Sequence, residues 1–450
     1  MKRTVFLLVL SLCLALCAPL AAFADEGYPP NFEVSAKGVY MYNLDTESVI
    51  YQKNADTPLY PASVTKIMTC ILALENTDNL DMEDITYPNY VQDYLYDYQY
   101  IQKNGEVSKG GLLAGEVLSM RDALYALMLP SANEVAMIIA DHIGGSQEGF
   151  VEMMNAKARE LGATNTNFVN ANGLFDSAHV TTAHDIYLMA RHAMELPGFM
   201  DIVTTVSYQC PPTNKHPEGL NWSTTNLMMV PNNLYYYPPL KGIKTGTLPD
   251  SGRCFVSTAT RDGFTYLLVV LGSTYLDETG AAMAENMAFV ETRQLYEWVF
   301  DTFRVKNLVD KGKYVAEIPL RLNLDQDHVK LMTAERFTAL LPNDIDSNSV
   351  TLIPEIPDAI DAPVTKGQYV GEVALILSGE EIGRVDLLSV ESVEASQVLV
   401  LLEKAKEITR SFWFKFAIVL FVFLFVFYIV LMILRNRRRR RSGFKPKRRL

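Results

Sequence analysis

Cysteine is scarce in this sequence. Five occur in 450 residues, and two of them, Cys13 and Cys17, lie within the first 17 positions. The other three are Cys70, Cys210 and Cys254. Three cysteines are too few, and an odd number, for the disulfide framework that holds many small secreted domains together. We expect these three residues to be buried free thiols.

Histidine is equally scarce, with six residues in the chain. His179, His184 and His192 lie close together, but no H-E-x-x-H motif and no carboxylate at metal-ligand spacing accompanies them. The sequence therefore predicts no metal site and no cofactor. We expect His179 and His184 to brace a loop.

Positive charge is sparse in the central part of the chain. Between residues 25 and 410 there are 27 of the 40 Lys and Arg residues but all 52 Asp and Glu residues. A nucleic-acid-binding domain carries a basic surface instead. We therefore predict that this region does not bind nucleic acid.

Long apolar runs are few, and the two that occur lie near the ends. Residues 1–24 have a basic start, an apolar stretch and an A-x-A site, which is typical of a signal peptide. Residues 412–434 are long and apolar enough to cross a bilayer, and residues 435–450 form a basic tail. Because Lys and Arg mark the cytoplasmic side, the pattern predicts a single-pass cell-membrane protein with an extracytoplasmic body and a cytoplasmic C-terminus. The alternative is a buried C-terminal core helix.

The pattern of elements between residues 25 and 304 predicts an α+β domain. Residues 37–52 and 240–271 alternate as strands of an antiparallel sheet, and Arg261-Asp262-Gly263 marks a hairpin turn. Helical periodicity occupies the sequence between them and the stretch 282–303. Residues 305–403 contain short β-prone runs separated by Gly, Pro and Asp, which predicts a small all-β domain. The tyrosine-rich tract 87–110 is interpreted as a surface loop or as a wall of the substrate cleft.

The stretch PASVTKIMTCILAL, residues 61–74, carries the first chemical signal. Its apolar residues recur at helical spacing, so it predicts a core-facing helix. Ser63 and Lys66 lie off that stripe, one turn apart on one side of the helix. A serine beside a lysine that can lose its proton is a nucleophile with its own base. S-x-x-K alone is a weak signal, since Ser442 and Lys445 repeat it in the basic tail.

Two further motifs follow in order, Ser131-x-Asn133 and Lys244-Thr245-Gly246. This set of three is that of penicillin-binding proteins and class A β-lactamases. Other stretches that resemble the family are YQKNADTPLYPASVTKIMTCILALE, LYALMLPSANEVA, NANGLFDSAHVTTAHD and GIKTGTLPDSG. From about residue 33 to 303 the chain resembles the low-molecular-mass penicillin-binding proteins that are D-alanyl-D-alanine carboxypeptidases. The resemblance implies a β-lactamase/transpeptidase-like fold, an antiparallel sheet with helices on both sides, followed by the β domain.

The resemblance also implies a role for each motif residue. Ser63 is the nucleophile, Lys66 its base and Ser131 a proton relay, and these three are the expected catalytic residues. The expected substrate-binding residues are Asn133, Lys244, Thr245, Gly246 and Thr247. The substrate would be the D-alanyl-D-alanine end of a peptidoglycan stem peptide, and β-lactams would acylate Ser63.

The chain departs from the family pattern in one respect that bears on substrate binding. The arginine usual before the last helix is missing, so Arg253 or Arg293 is expected to replace it.

Three other functions stay open from sequence alone. The first is a β-lactamase, for which Glu148, Glu152 and Glu160 are the candidate deacylating residues. The second is D,D-endopeptidase or transpeptidase activity on the same peptides. The third is an inactive, membrane-tethered sensor of wall fragments.

Overall fold

The computed structural model describes residues 29–95 and 107–442. The predicted signal peptide, the middle of the tyrosine-rich tract and the end of the basic tail lie outside these residues. The chain divides into two compact units, one reaching Arg304 and one starting at Val305. Each is described by itself.

The first unit is built on a five-stranded sheet in the order β2-β1-β9-β8-β7, with antiparallel pairing throughout. This confirms the α+β prediction and the hairpin at Arg261-Asp262-Gly263. The strands of this unit are β1 Gly38–Asn43, β2 Ser48–Lys53, β3 Asp84–Thr86, β4 Val117–Ser119, β5 Ser207–Cys210, β6 Leu220–Ser223, β7 Leu240–Leu248, β8 Gly252–Arg261 and β9 Phe264–Ser273. Its helices are α1 Lys66–Glu75, α2 Asn89–Leu95, α3 Met120–Met128, α4 Asn133–Gly144, α5 Gln147–Glu160, α6 Ala183–Glu195, α7 Phe199–Val203 and α8 Met287–Thr302.

Helices cover both faces of this sheet, and the strand residues alternate between them. Val256 and Val269 belong to the core shared with α1 and α6. On the opposite face Phe255 packs edge-on against Phe289 of α8. Successive residues of a strand point to opposite faces of the sheet. Because both faces are covered by helices, the alternating residues contribute to two separate hydrophobic cores, one on each face.

Helix α1 lies in the middle of the helical core. The stripe predicted from its sequence is almost completely buried: Val64, Ile67, Met68, Ile71 and Leu72 are each at most 3% exposed. Burying side chains of this size stabilises the fold by about 1.5–3 kcal/mol each. The residues just before α1, Ser63 among them, are therefore attached to one of the most firmly packed elements of the unit.

The second unit confirms the β-rich domain. Its strands are β10 Phe303–Val309, β11 Tyr314–Arg321, β12 His328–Thr333, β13 Phe337–Pro342, β14 Thr351–Glu355, β15 Ile360–Asp361, β16 Tyr369–Leu377 and β17 Glu380–Ser389. Six of them form one sheet in the order β14-β16-β17-β12-β11-β15. After the strands, helix α9 covers Gln397–Arg410 and has no buried residue.

One described helix is long and apolar enough to cross a membrane. Helix α10 covers Phe412–Ser442, and its candidate span is Phe412–Arg437. The apolar side chains of this segment are exposed, which excludes the buried core helix considered above. A long exposed apolar helix is consistent with membrane anchoring.

Candidate active site

Ser63 lies in a 3-10 turn, Ala62–Thr65, that leads directly into α1. Its side chain is half-buried and open to a ligand. The preceding residue, Ala62, has φ +49°, in the left-handed region that residues other than glycine rarely adopt. Backbone strain of this kind persists only where surrounding contacts enforce it.

A chain of hydrogen bonds enforces this turn from below. The Thr65 hydroxyl donates to the Ala62 carbonyl at 2.9 Å, and His179 Nε2 lies 2.8 Å from the same hydroxyl. The Val169 amide donates to His179 Nδ1, so the ring proton is on Nε2 and donates to Thr65. Burial lowers the pKa of His179 to about 4, which keeps the ring neutral. His179 thus braces the turn, whereas His184 lies elsewhere, stacked on Tyr40.

Lys66 reaches from the first turn of α1 to three oxygen atoms. Its Nζ lies 3.0 Å from Ser63 Oγ, 2.9 Å from Asn133 Oδ1 and 2.7 Å from the Asn172 carbonyl oxygen. The last two oxygens can only accept hydrogen bonds. A neutral amine has two N–H groups for these acceptors and a lone pair left for the Ser63 hydroxyl proton. The geometry therefore suits a lysine that acts as a base.

Electrostatics favour the same protonation state. Lys66 is fully buried, and burial lowers its pKa well below the usual value. The charge of Lys244 lowers it further, and the carboxyl group of Glu134 acts in the opposite direction. Burial also lowers the pKa of Lys244, to about 7. Desolvation is thus a larger cause of the lowered Lys66 pKa than the charge of Lys244.

The second motif lies at the junction of α3 and α4, directly after Pro130. Ser131 has φ +63°, and its Oγ is buried without a hydrogen-bond partner in the described part of the chain. Asn133 begins α4 and accepts from Lys66 through Oδ1, which joins the second motif to the first. Its Nδ2 donates to the Ser108 carbonyl at 2.9 Å.

The end of the tyrosine-rich tract therefore borders the site. Residues 89–95 form α2, so a surface loop is the wrong interpretation there, and the interpretation of residues 96–106 lies outside the described residues. At the other end, the Gly110 amide donates to Glu134 Oε1 at 2.5 Å. Glu134 Oε2 is buried and has no partner among the described residues, and burial raises the pKa of this carboxyl group.

The third motif lies on β7, an edge strand of the sheet, which packs against the turn that carries Ser63. A Cβ atom on Gly246 would lie 3.0 Å from the Ser63 amide nitrogen. A side chain here would crowd this amide, so glycine favours the close approach of the strand to the nucleophile. Lys244 is 1% exposed, Thr245 is half-buried, and Thr247 is exposed at the rim. The Ser-x-x-Lys pair thus contacts residues of both distant motifs.

This arrangement agrees with the comparison to known proteins. A family profile described as D-alanyl-D-alanine carboxypeptidase, peptidase S11, matches residues 24–274, more than half of the chain. The chain belongs to the D-alanyl-D-alanine carboxypeptidase family. It is therefore a serine hydrolase, as predicted. A second profile, the C-terminal domain of penicillin-binding protein 5, matches residues 303–395.

Relatives of this carboxypeptidase-family chain cover its length to different extents. It is 28% identical over 425 residues to D-alanyl-D-alanine carboxypeptidase DacF of Bacillus subtilis, covering 92% of this chain and all of the relative. It is 32% identical to a D-alanyl-D-alanine carboxypeptidase of Streptomyces sp. strain K15, covering 57% and 88%. The structure of penicillin-binding protein 5 from Haemophilus influenzae shares the fold, with a TM-score of 0.59 at 24% identity, covering 82% of this chain and all of the other.

Sequence reasoning missed Asn172, whose main-chain carbonyl is the shortest contact of Lys66 Nζ. A backbone acceptor leaves no side-chain signature. The turn signal Asn170-Ala171-Asn172-Gly173 was the available clue. Gly173 has φ +82°, and a Cβ there would lie 1.9 Å from the Ala62 carbonyl oxygen. The turn therefore needs glycine both for its backbone conformation and for space.

The two arginines expected to replace the missing one are engaged elsewhere. Arg293 donates to the carbonyls of Tyr235 and Tyr236 at 2.7 Å. Arg253 donates to the Met283 carbonyl at 2.6 Å. None of these hydrogen bonds is to a residue of the third motif.

The glutamates considered for a β-lactamase are also misplaced. Glu148, Glu152 and Glu160 lie on α5 and are all exposed. None is a hydrogen-bond partner of Lys66, whose acceptors come from Ser63, Asn133 and Asn172. The buried carboxyl group nearest in sequence to the second motif is Glu134 instead.

Proposed function

We propose that this protein is a membrane-anchored serine-type D-Ala-D-Ala carboxypeptidase that removes the terminal D-alanine from peptidoglycan stem peptides. The observation that carries the proposal is the contact of Lys66 Nζ with Ser63 Oγ, at 3.0 Å, together with two carbonyl acceptors. This arrangement supplies a nucleophile and a base at one end of an open edge strand.

In the first step Ser63 Oγ attacks the carbonyl carbon between the two D-alanines, and Lys66 Nζ takes its proton. The backbone N–H groups of Ser63 and Thr247 stabilise the oxyanion. The close approach of Gly246 to the Ser63 amide supports this pairing of turn and strand.

In the second step the C–N bond breaks and D-alanine leaves as an amine. The leaving nitrogen needs a proton, which Lys66 returns through the Ser131 hydroxyl. The unpartnered Oγ of Ser131 supports this role, since it has no competing hydrogen bond among the described residues. Water then hydrolyses the ester on Ser63 and restores the free enzyme.

Substrate binding uses the remaining motif residues. Asn133 binds a peptide amide of the substrate, and Lys244 and Thr245 hold its terminal carboxylate. The edge position of β7 supports binding of the peptide as an added strand. β-Lactams follow the same first step, with Ser63 as the acylated residue.

The test is release of D-alanine from diacetyl-L-lysyl-D-alanyl-D-alanine by the full chain in detergent. We expect turnover by the wild type and none by Ser63→Ala, with equal thermal unfolding temperatures for both. A chromogenic cephalosporin should give a stoichiometric burst, because the glutamates considered for deacylation, Glu148, Glu152 and Glu160, are exposed on α5. Rapid steady cephalosporin turnover without D-alanine release would contradict the proposal and favour a β-lactamase.

We further propose the domain limits 25–304 and 305–403, and a single membrane crossing at 412–434 with residues 435–450 in the cytoplasm. Division of the chain between Arg304 and Val305 supports the first boundary, and the run of arginines from Arg437 to Arg441 supports the orientation. Protease added to intact cells should remove the body and leave an epitope on the tail protected. Digestion of that epitope would show that the tail lies outside the cell and would contradict the proposed orientation.

A further inference from the structure

Thr225 lies outside the three sequence motifs, but its side chain contacts Thr245 of the third motif. Its Oγ1 lies 2.6 Å from Thr245 Oγ1, so one hydroxyl donates to the other. Both side chains are half-buried, which leaves them accessible to a ligand. Two hydroxyls therefore lie side by side at the end of the site where Lys244 is also found.

The loop after β6 holds Thr225 in this place from two directions. The Thr225 amide donates to the carbonyl of Leu129, two residues before Ser131. The next residue, Asn226, donates through Nδ2 to the Gly242 carbonyl of β7 at 2.8 Å. The loop thus bridges the second and third motifs, and its conformation does not depend on the hydroxyl of Thr225.

A protein usually binds a carboxylate through two hydrogen-bond donors, through a positively charged group, or through both. In this chain the arginines suggested for that purpose donate to main-chain carbonyls elsewhere. Lys244 supplies the charge, but its Nζ is a single point donor. Two adjacent threonine hydroxyls supply the pair of directed donors that a guanidinium would otherwise offer.

We propose that Thr225 is a substrate-binding residue that, with Thr245, donates to the two oxygens of the substrate's free C-terminal carboxylate. On ligand binding the two hydroxyls exchange their mutual hydrogen bond for one bond each to the carboxylate. Thr225 therefore determines the preference for peptides that end in a free acid. This inference rests on the proposed function.

The experiment compares two substrates, diacetyl-L-lysyl-D-alanyl-D-alanine and its C-terminal amide, in the full chain. A hydroxyl bonded to a charged group contributes more than one bonded to a neutral group. We expect Thr225→Val to lower the acid-to-amide ratio of kcat/KM about tenfold to a hundredfold. Thr225→Ser, which keeps the hydroxyl, should restore most of the ratio.

Thr224→Val is the matched control, because among the described residues the Thr224 hydroxyl accepts only from the Asn226 amide, within its own loop. This variant should change kcat/KM for the two substrates by the same factor and leave the acid-to-amide ratio unchanged. An unchanged ratio in Thr225→Val, with wild-type D-alanine release, would overturn the inference and leave the proposed function standing. If Thr225→Val does not fold, Thr225→Ala removes the same hydroxyl and is judged by the same ratio. A wild type that releases no D-alanine would instead refute the proposed function itself.

Discussion

Raising the pH above 7 should inactivate the free enzyme by removing the charge of Lys244. This side chain is 1% exposed, and burial lowers its pKa to about 7. Lys66 experiences a similar burial and, in addition, the charge of Lys244, so we expect it to lose its proton first. Each lysine is charged below its own pKa. The active state, with Lys66 neutral and Lys244 charged, therefore exists between the two pKa values.

The size of the effect follows from the pKa of Lys244. Half of the free enzyme carries this charge at pH 7 and about one molecule in a hundred at pH 9, so kcat/KM should fall about fiftyfold over that interval. In the substrate complex the carboxylate lies beside Lys244 and raises its pKa. The fall in kcat should therefore begin at a higher pH than the fall in kcat/KM.

The assay is the rate of acylation by a fluorescent penicillin and the rate of D-alanine release, each measured from pH 5 to 9.5. Lys244→Arg is the control, because arginine keeps its charge throughout this range. Its rates should be lower, since the planar guanidinium has a different shape, but they should not fall between pH 7 and 9. The same fall in Lys244→Arg, or a flat wild-type profile to pH 9, would refute the assignment of this ionisation to Lys244.

Three further predictions concern the surroundings of the nucleophile. Gly173→Ala should destabilise the protein by several kcal/mol and abolish penicillin labelling, because its Cβ would meet the Ala62 carbonyl at 1.9 Å; an unchanged unfolding temperature would contradict this. Glu134→Gln should move the acid limb of kcat/KM to lower pH, because the Glu134 carboxylate raises the pKa of Lys66; a limb that does not move would show that the carboxyl group is already uncharged. Lowering the pH from 7.5 to 5 should remove about 2 kcal/mol of stability, since the pKa of His179 is about 4 when folded and near 6.5 when unfolded. Denaturant titrations of wild type and His179→Gln should show this loss only in the wild type.

Periodicity identified the elements whose pattern depends on local sequence. Pro130 lies between α3 and α4, where a proline favours a helix break, and Ser119 caps α3 by accepting from the Asp122 amide. The active-site stripe is buried as predicted. In these cases the local signal and the packing require the same conformation.

Other features depend on contacts that no local pattern encodes. Residues 398–402, Val-Leu-Val-Leu-Leu, have the composition of a strand, yet they lie in α9. A short apolar run is compatible with a strand or with a helix, and here the residues form a helix. Asn172 acts through its main chain, and Thr225 meets Thr245 only because a loop folds back between two motifs. Such residues become visible only when the three-dimensional structure is known.

The hydroxyl of Ser131 has a consequence for ligand design. Its oxygen is buried and has no hydrogen-bond partner within the described residues. A buried polar atom in that state makes the empty site less stable than it could be. A reversible inhibitor that offers it a hydrogen bond would recover this energy on arrival, with little further desolvation of the protein. Affinity could thus be gained at this point without any electrophile.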